Sequence, residues 1–366
     1  MLTITEYYRR LVMLVDCIHR IACENPNEKM WSMFVYFESE PHVKRFLEKT
    51  YQANQGQDAS RFAFQNTHKF IYYIKQGKEY YNAASTSNIL VKPLLIYYGM
   101  VSLLKAVIIS SDPGYPAHTR VLQHGITSRK LKKLDYSFSE DEVKVQKEGL
   151  FPMVASYLNS DHIVGQKFKI KDLLSLIPEL RESYEKSYEE TTLIPLHISR
   201  HIDFSSPVTT FYLPEHILDK YHLTYESFIH FLNRHNQGQA RFVPHSLEAP
   251  KGIIRISWEH PQDIHVSESP SGFENHLFIQ DYKGNHHFLL SDKPELFIPE
   301  MLSHYMLMYI LGMLCRYETE LWGEIIFSFT SGEMFIINEF LNISQRKFPN
   351  MILNLLFNER FIFETM

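Results

Sequence analysis

Apolar positions recur at helical spacing through most of the first half of the chain. Leu11, Leu14, Val15 and Ile18 fall on one face after Thr5-Glu6-Tyr7-Tyr8, which predicts a helix over residues 5–20. Residues 31–51 predict one or two further helices, interrupted at Pro41. The polar turn at 54–58 precedes a helix over 61–82 with Ser60 as its cap, and Phe64, His68, Ile71, Tyr72 and Ile74 lie near one stripe of it. The strongest segment spans 89–109. Pro93 suits a helix start, because its missing N–H would lack an intrahelical partner there anyway. Leu94, Leu95, Tyr97, Tyr98, Val101, Leu103 and Leu104 cover more than one face, so this helix is expected to be central and enclosed. Gly99 costs it roughly 1 kcal/mol of helix propensity, a cost that close approach of a neighbouring helix would justify. Residues 172–180 and 181–190 predict short helices broken at Pro178.

The pattern changes near residue 191. Segments 193–199, 208–213, 253–258, 277–280 and 287–290 read as strands, with hairpin-turn chemistry at Asp281-Tyr282-Lys283-Gly284-Asn285 and a helical stretch over 216–236 between them. Helical patterning returns after Pro294 and Pro299, as an apolar segment over 301–317 and then two helices over 335–357 broken near Pro349. The expected fold is mainly α with a mixed α/β insertion. Residues 1–190 form a helical region, 191–295 a mixed region with short antiparallel strands, and 296–366 a helical region packing back on the first.

Composition narrows the class without naming a function. Apolar residues make up 45% of the 366 residues and charged residues 22%, proportions of a globular protein rather than a disordered one. The net charge of −5 argues against a general nucleic-acid coat protein, and nucleic acid is not the expected partner. Cys17, Cys23 and Cys315 are odd in number and form no C-x-x-C pair, which fits a reducing cytoplasm. The apolar runs 93–109 and 301–315 contain Lys105 and His304 and fall short of the roughly 20 apolar residues that cross a bilayer, so core helices are expected and no membrane.

Candidate chemistry is sparse. His197 and His201 have the spacing of helical zinc ligands, but on a strand they stand roughly 13 Å apart at about 3.3 Å per residue, so no metal is expected there. His286 and His287 point to opposite faces of a strand. Arg61 and His68, with six residues between them, resemble the arginine–histidine pair of HEPN ribonucleases, in which arginine steadies phosphoryl charge and histidine transfers a proton. Phe62 departs from the polar residue that family prefers after the arginine, and a core-edge histidine is the preferred reading of His68.

Arg120-Val121-Leu122-Gln123-His124-Gly125 follows a Pro/Gly-rich loop directly after the central helix and is displayed from a fixed scaffold. With Arg129 and Lys130 it offers groups for an anion such as a nucleotide phosphate, although no glycine-rich phosphate cradle is present. The structural alternative is a surface loop whose arginines pair with the acidic run 140–142. Arg316 closes the 301–317 helix, where a cation meets the dipole and the last carbonyls. Its functional alternative is a pocket shared with His124, with Trp322 beside it. Nothing resembles a nucleophile elbow, no cofactor is expected, and the catalytic residues are unknown.

Leu94-Leu95-Ile96-Tyr97-Tyr98-Gly99-Met100 with Leu103, Leu104, Lys105 and Ala106 resembles the central helix of the YaaC-like family of bacterial proteins. His124-Gly125-Ile126 is similar to that family's His-Gly-aliphatic step, and Gly312-Met313-Leu314-Cys315-Arg316-Tyr317 followed by Leu321-Trp322 to its other signature. The resemblance spans residues 30–358 or so and implies a soluble cytoplasmic protein with no established reaction. In some members the gene lies beside that of inosine-monophosphate dehydrogenase, which implies a link to purine metabolism and a candidate protein partner. The leading expectation is a non-enzymatic binding or regulatory protein recognising a partner protein or a nucleotide-like anion. The alternatives are a HEPN-like ribonuclease using Arg61 and His68, and an oligomeric scaffold.

Overall fold

The computed structural model describes residues 18–55, 58–128, 136–198, 208–235, 241–245, 250–259, 277–291, 293, 296–327 and 332–366. The chain enters it as a strand, β1 (Ile18–Cys23), where the periodicity predicts the tail of a helix. Its partner is the last strand of the chain, Arg360–Thr365, aligned parallel from Ile18 opposite Arg360 to Cys23 opposite Thr365. No local pattern encodes a partner at the far terminus. Residues 5–17 of that expected helix lie outside the described residues, as does Cys17.

Four helices follow. In α1 (Pro26–Phe34) the Asn25 side chain accepts the N–H groups of Asn27 and Glu28, two of the donors a helix start leaves unpaired. A single 3-10 turn, Val35–Glu38, leads to α2 (Glu40–Gln55), where Pro41 sits harmlessly in the first turn and the break falls at Ser39. Next comes α3 (Ala59–Thr86), entered through Asp58 at φ 66 with no side-chain cap, so Ser60 lies inside the helix and does not cap it. The central helix α4 (Lys92–Ser111) is 20 residues long. It is long and apolar enough to span a bilayer, but 72% of its most apolar window is buried within the fold, so its surface is spent on neighbours.

α3 and α4 cross at two glycines. A Cβ on Gly99 would lie 2.7 Å from a Tyr81 ring carbon, and one on Gly77 would lie 2.8 Å from Leu103 Cδ2. Any side chain at either position would force the helices apart, which accounts for glycine in the middle of an otherwise strong helix. The far end of α4 is held by side chains. The Tyr51 hydroxyl donates to the Ile109 carbonyl at 2.6 Å, and Asn66 Nδ2 donates to the Pro113 carbonyl at 3.0 Å. The loop after α4 therefore starts from a fixed point.

That loop leads into a sheet where the sequence predicts only helices and charged loop. β2 (Ile126–Ser128), β3 (Glu142–Val145) and β4 (Lys167–Lys169) pair antiparallel in the order β2-β3-β4. Each is three or four residues long, too brief for alternation to stand out, although Val143 and Val145 both turn inward. The acidic run 140–142 is not a uniformly solvated face: Glu140 and Glu142 pair with Lys169 and Lys167, while Asp141 is buried and accepts the Tyr136 hydroxyl at 2.9 Å. α5 (Leu150–Tyr157), α6 (Ile170–Leu174) and α7 (Arg181–Tyr188) complete this part.

From residue 193 the sheets have the antiparallel character that the alternation predicts. β5 (Leu193–Pro195) is followed by β6 (His197–Ile198) and β7 (Val208–Pro214), then by α8 (His216–Tyr221), α9 (Tyr225–His235), β8 (Arg241–Pro244) and β9 (Ile253–Glu259). β10 (Phe278–Gln280) and β11 (His286–Leu289) make a hairpin, in whose turn Asp281 Oδ1 accepts the N–H groups of Lys283 and Asn285. The two sheets run β6-β7-β9-β8 and β10-β11-β5. His197 stands exposed on β6, and His201 lies outside the described residues.

The chain returns to helix with α10 (Glu300–Tyr317), α11 (Thr319–Phe327) and α12 (Glu333–Phe357), before β12 (Arg360–Thr365) pairs with β1. α10 and α12 both pack against α4. α12 is one continuous helix with Pro349 inside it, where the sequence predicts a break. An internal proline costs about 3 kcal/mol. Phe348, Pro349, Ile352 and Leu353 are all buried, and that packing outweighs it.

A buried charge network ties these last helices to the strands. Lys347 Nζ lies 2.6 Å from Glu179 Oε2 and 2.7 Å from Glu300 Oε1, and also donates to the Gln280 carbonyl at 3.2 Å. Glu179 accepts the Tyr282 N–H at 2.7 Å, and His304 lies between Glu300 at 3.2 Å and the Ser344 hydroxyl at 2.9 Å. Burial alone would lower the Lys347 pKa, but Glu179 and Glu300 outweigh it and the ammonium ends above the usual lysine range. Burial likewise pushes Glu300 up, and Lys347 with His304 brings it below the usual carboxylate range.

Candidate functional site

Tyr97 and Tyr98 sit side by side on α4 and face different partners. The Tyr97 hydroxyl is 2.7 Å from His124 Nδ1 and 3.2 Å from the Tyr305 hydroxyl, and Tyr305 in turn donates to the His124 carbonyl at 3.0 Å. Tyr98 accepts a hydrogen bond from Arg316 Nη1 at 2.8 Å. One residue pair of the central helix thus brings the loop after α4 and the end of α10 to a single ledge. His124 and Arg316, which the sequence offers as one pocket or two separate structural residues, meet here across adjacent tyrosines.

The backbone behind His124 is rigid for a steric reason. Gly125 has φ +80, and a Cβ there would lie 2.3 Å from Pro152 Cδ; Gly149 lies against it at φ +127, with a Cβ that would fall 2.4 Å from the Gly125 Cα. Only paired glycines permit this approach. Hydrogen bonds then lock the strip: Leu150 N–H to the Gln123 carbonyl at 2.7 Å, Phe151 N–H to the His124 carbonyl at 3.1 Å, and Gln146 N–H to the Gly125 carbonyl at 2.9 Å. Gly125 positions the imidazole and leaves no side chain of its own for a ligand.

Lys105 stands on α4 seven residues after Tyr98, on nearly the same side of the helix and two turns further along. Its Nζ lies 5.8 Å from the Tyr73 ring centroid. The sequence shows it as a charge interrupting an apolar run, within the segment that carries the family resemblance. A lysine inside an enclosed core helix is the signal that could have marked it. Burial lowers the Lys105 pKa from the usual lysine range. His124 is pushed below the ordinary histidine range, first by burial and then by the positive charges of Lys105 and Arg316. No carboxylate offsets that pressure among the described residues. Arg316 also lies over the exposed Tyr317 ring, 4.9 Å from its centroid, and Tyr98 stacks on Tyr80 at 5.7 Å.

The other candidates from the sequence lie elsewhere. Arg120 is exposed and pairs with Glu148 at 3.5 Å, not with the acidic run 140–142. Trp322 is fully buried and donates through Nε1 to the Leu90 carbonyl at 3.1 Å, an acceptor it shares with the Cys315 thiol at 2.8 Å. It braces the start of α4. Arg129 lies outside the described residues. Arg61 and His68 share an exposed face of α3, two helical turns apart. Asp58 lies 3.3 Å from Arg61 and Glu40 lies 3.5 Å from His68. Phe64 and Tyr72 are exposed on that face. His286, on β11, is half-buried, and its pKa is lowered to about 3, chiefly by burial.

A family model described as YaaC-like Protein matches residues 35–356, most of the chain. No curated protein and no solved structure matches it.

Proposed function

The chain belongs to the YaaC-like family, and from that premise we propose that it is a binding or regulatory protein. It holds a small nucleotide-like anion on the ledge formed by Lys105, His124 and Arg316. One observation carries this reading: the adjacent tyrosines Tyr97 and Tyr98 hold His124 at 2.7 Å and Arg316 at 2.8 Å, with no ion pair between either of these basic groups and a carboxylate among the described residues. Cations gathered without acids are an electrostatic cost to the free protein, and a bound anion removes it. The guanidinium fork of Arg316 suits a phosphate or carboxylate, and the Tyr98 and Tyr317 rings suit a planar base. A binding role fits better than turnover, since the ledge offers cations, hydroxyls and rings but no general-base carboxylate among the described residues. A bacterial cytoplasm, a link to purine metabolism and a protein partner such as inosine-monophosphate dehydrogenase belong to the same proposal.

Thermal denaturation with millimolar purine nucleotides tests it. We expect an upward shift of the midpoint that Arg316→Ala abolishes, because a ligand that binds only the folded state stabilises it by mass action. No shift with any nucleotide, together with no partner retained in a pull-down, sinks the reading.

A second reading, RNA cleavage by Arg61 and His68, is favoured by their common exposed face on α3. Labelled RNA should then be cut by the wild-type protein and spared by His68→Ala. Intact RNA with both proteins removes this alternative.

A further inference from the structure

The hydrogen bonds around His124 fix where its proton sits. Tyr305 has one hydroxyl proton, and the His124 carbonyl, 3.0 Å away, can only accept it. The Tyr97 and Tyr305 hydroxyl oxygens are 3.2 Å apart, so Tyr97 is the donor of that pair. Tyr97 then has no proton left for His124 Nδ1 at 2.7 Å, and the imidazole donates to Tyr97 from Nδ1–H. The opposite tautomer sets the two hydroxyl oxygens against each other with no proton between them, in a place where both tyrosines are buried. With its proton on Nδ1, the neutral ring carries a bare lone pair on Nε2. The ring is half-buried, and Nε2 makes no hydrogen bond among the described residues and is not closed off from water. Next to it on α4, Tyr98 holds the guanidinium of Arg316 at 2.8 Å.

We infer that His124 Nε2 is a proton acceptor that selects oxyanions able to share a proton, phosphates above all, over oxyanions of equal charge that cannot, such as sulfate. The inference rests on the ledge being an anion site and names the class of anion it takes. Near pH 8, above the ordinary histidine pKa of about 6.5, the ring is neutral. A sulfate oxygen at Nε2 then meets lone pair with lone pair and leaves the nitrogen unpaired. Hydrogen phosphate brings the missing proton: its P–OH donates to Nε2 while its other oxygens accept from the Arg316 fork. The phosphate monoester of a nucleotide is mostly dianionic above its second pKa of about 6, so it takes up the shared proton from water on binding. Tyr97 and Tyr305 are positioning residues here, since they act by holding the proton on Nδ1 and not by touching the anion.

The test uses the full-length protein, its histidine ring nitrogens isotope-labelled for NMR, with inorganic phosphate and sulfate as probes near pH 8. Both anions are then mainly dianions of similar size, and only phosphate carries a proton. His124→Gln identifies the His124 signals by their loss. In the free wild-type protein we expect a protonated Nδ1 and a bare Nε2, and the reverse overturns the inference. At constant ionic strength phosphate should bind about tenfold more tightly than sulfate, read from the displacement of the Nε2 signal. Tyr305→Phe frees the Tyr97 proton for Nδ1, so Nε2 should become protonated and the preference for phosphate should fall to about twofold or less. Tyr97→Phe removes the Nδ1 acceptor and should weaken the same preference, which keeps the test open where Tyr305→Phe does not fold. A tautomer and a preference that neither substitution changes overturn the inference. Equal binding of the two anions to the wild-type protein also overturns it and leaves the anion site standing. Binding of neither anion removes the ledge as an anion site, and the selectivity with it.

Discussion

The protein contains two clusters of charge with opposite bookkeeping. Around Lys347, every buried charge is matched: one ammonium faces two carboxylates, a histidine bridges one carboxylate to a serine, and backbone groups take the remaining lone pairs and protons. Around Lys105, His124 and Arg316, the polar partners are tyrosine hydroxyls and rings, with no compensating carboxylate among the described residues. The first cluster is deeply buried, where an unpaired charge is prohibitive. The second is partly open to water, which tolerates unmatched charge and leaves it available to a ligand. Matched charge here reads as structure and unmatched charge as a site.

Removing the matched cation should have the largest effect. Lys347→Met strands two carboxylates in the core, and we expect a loss of about 3–5 kcal/mol of stability in denaturant unfolding. The pH profile should change with it. Glu300 has a lowered pKa, so its contribution is present above the ordinary carboxylate range and is lost as pH falls through the lowered value. Lys347 has a raised pKa, so its contribution is present below the ordinary lysine range and is lost as pH rises through the raised value. Both limbs should flatten in Lys347→Met. A loss no greater than that of a surface substitution would break the contrast.

Removing an unmatched cation should act with the opposite sign and a smaller size. Lys105→Met deletes a half-buried ammonium that has no acid to lose, and we expect stability to rise by about 0.5–1 kcal/mol while nucleotide binding weakens. A clear destabilisation would mean that Lys105 has a structural partner after all. The smallest effect should come from His124. An anion beside it favours the imidazolium, so binding takes up a proton, and affinity should rise by about threefold as pH falls from 8 to 6. His124→Gln should lack that increment, which separates it from titration of the phosphate itself; equal slopes for the two proteins would remove His124 from the site.

Much of the helical frame is legible in the sequence, because its determinants are local. The run of apolar residues in α4, the proline at its start and the glycine at its crossing each carry their own physical reason. Pro349 was misleading for the complementary reason. The local cost of a proline is real, but burial of its neighbours along α12 decides the outcome. The β2-β3-β4 sheet was illegible because its strands are too short to establish a period. Residues 18–20, read as the end of a helix, form a strand because their partner is the strand Arg360–Thr365, far away in sequence. At the site, the histidine–glycine step and the terminal arginine of α10 stood out as residue types in unusual places. Lys105 did not, since one charge in an apolar run reads as an interruption until its neighbours are known.

The sequence by itself determined the class, the central apolar helix with glycine at its close crossing, and the placing of His124 in the loop after that helix and of Arg316 in the last turn of another apolar helix. Spacing, propensity and backbone sterics act within a few residues, so one chain read in order suffices for them. The tertiary structure decided which charges face acids and which do not. Charge matching depends on separations in space, between residues 179, 300 and 347 in one cluster and 105, 124 and 316 in the other. That distribution, rather than the inventory of charged residues, distinguishes the lock from the site.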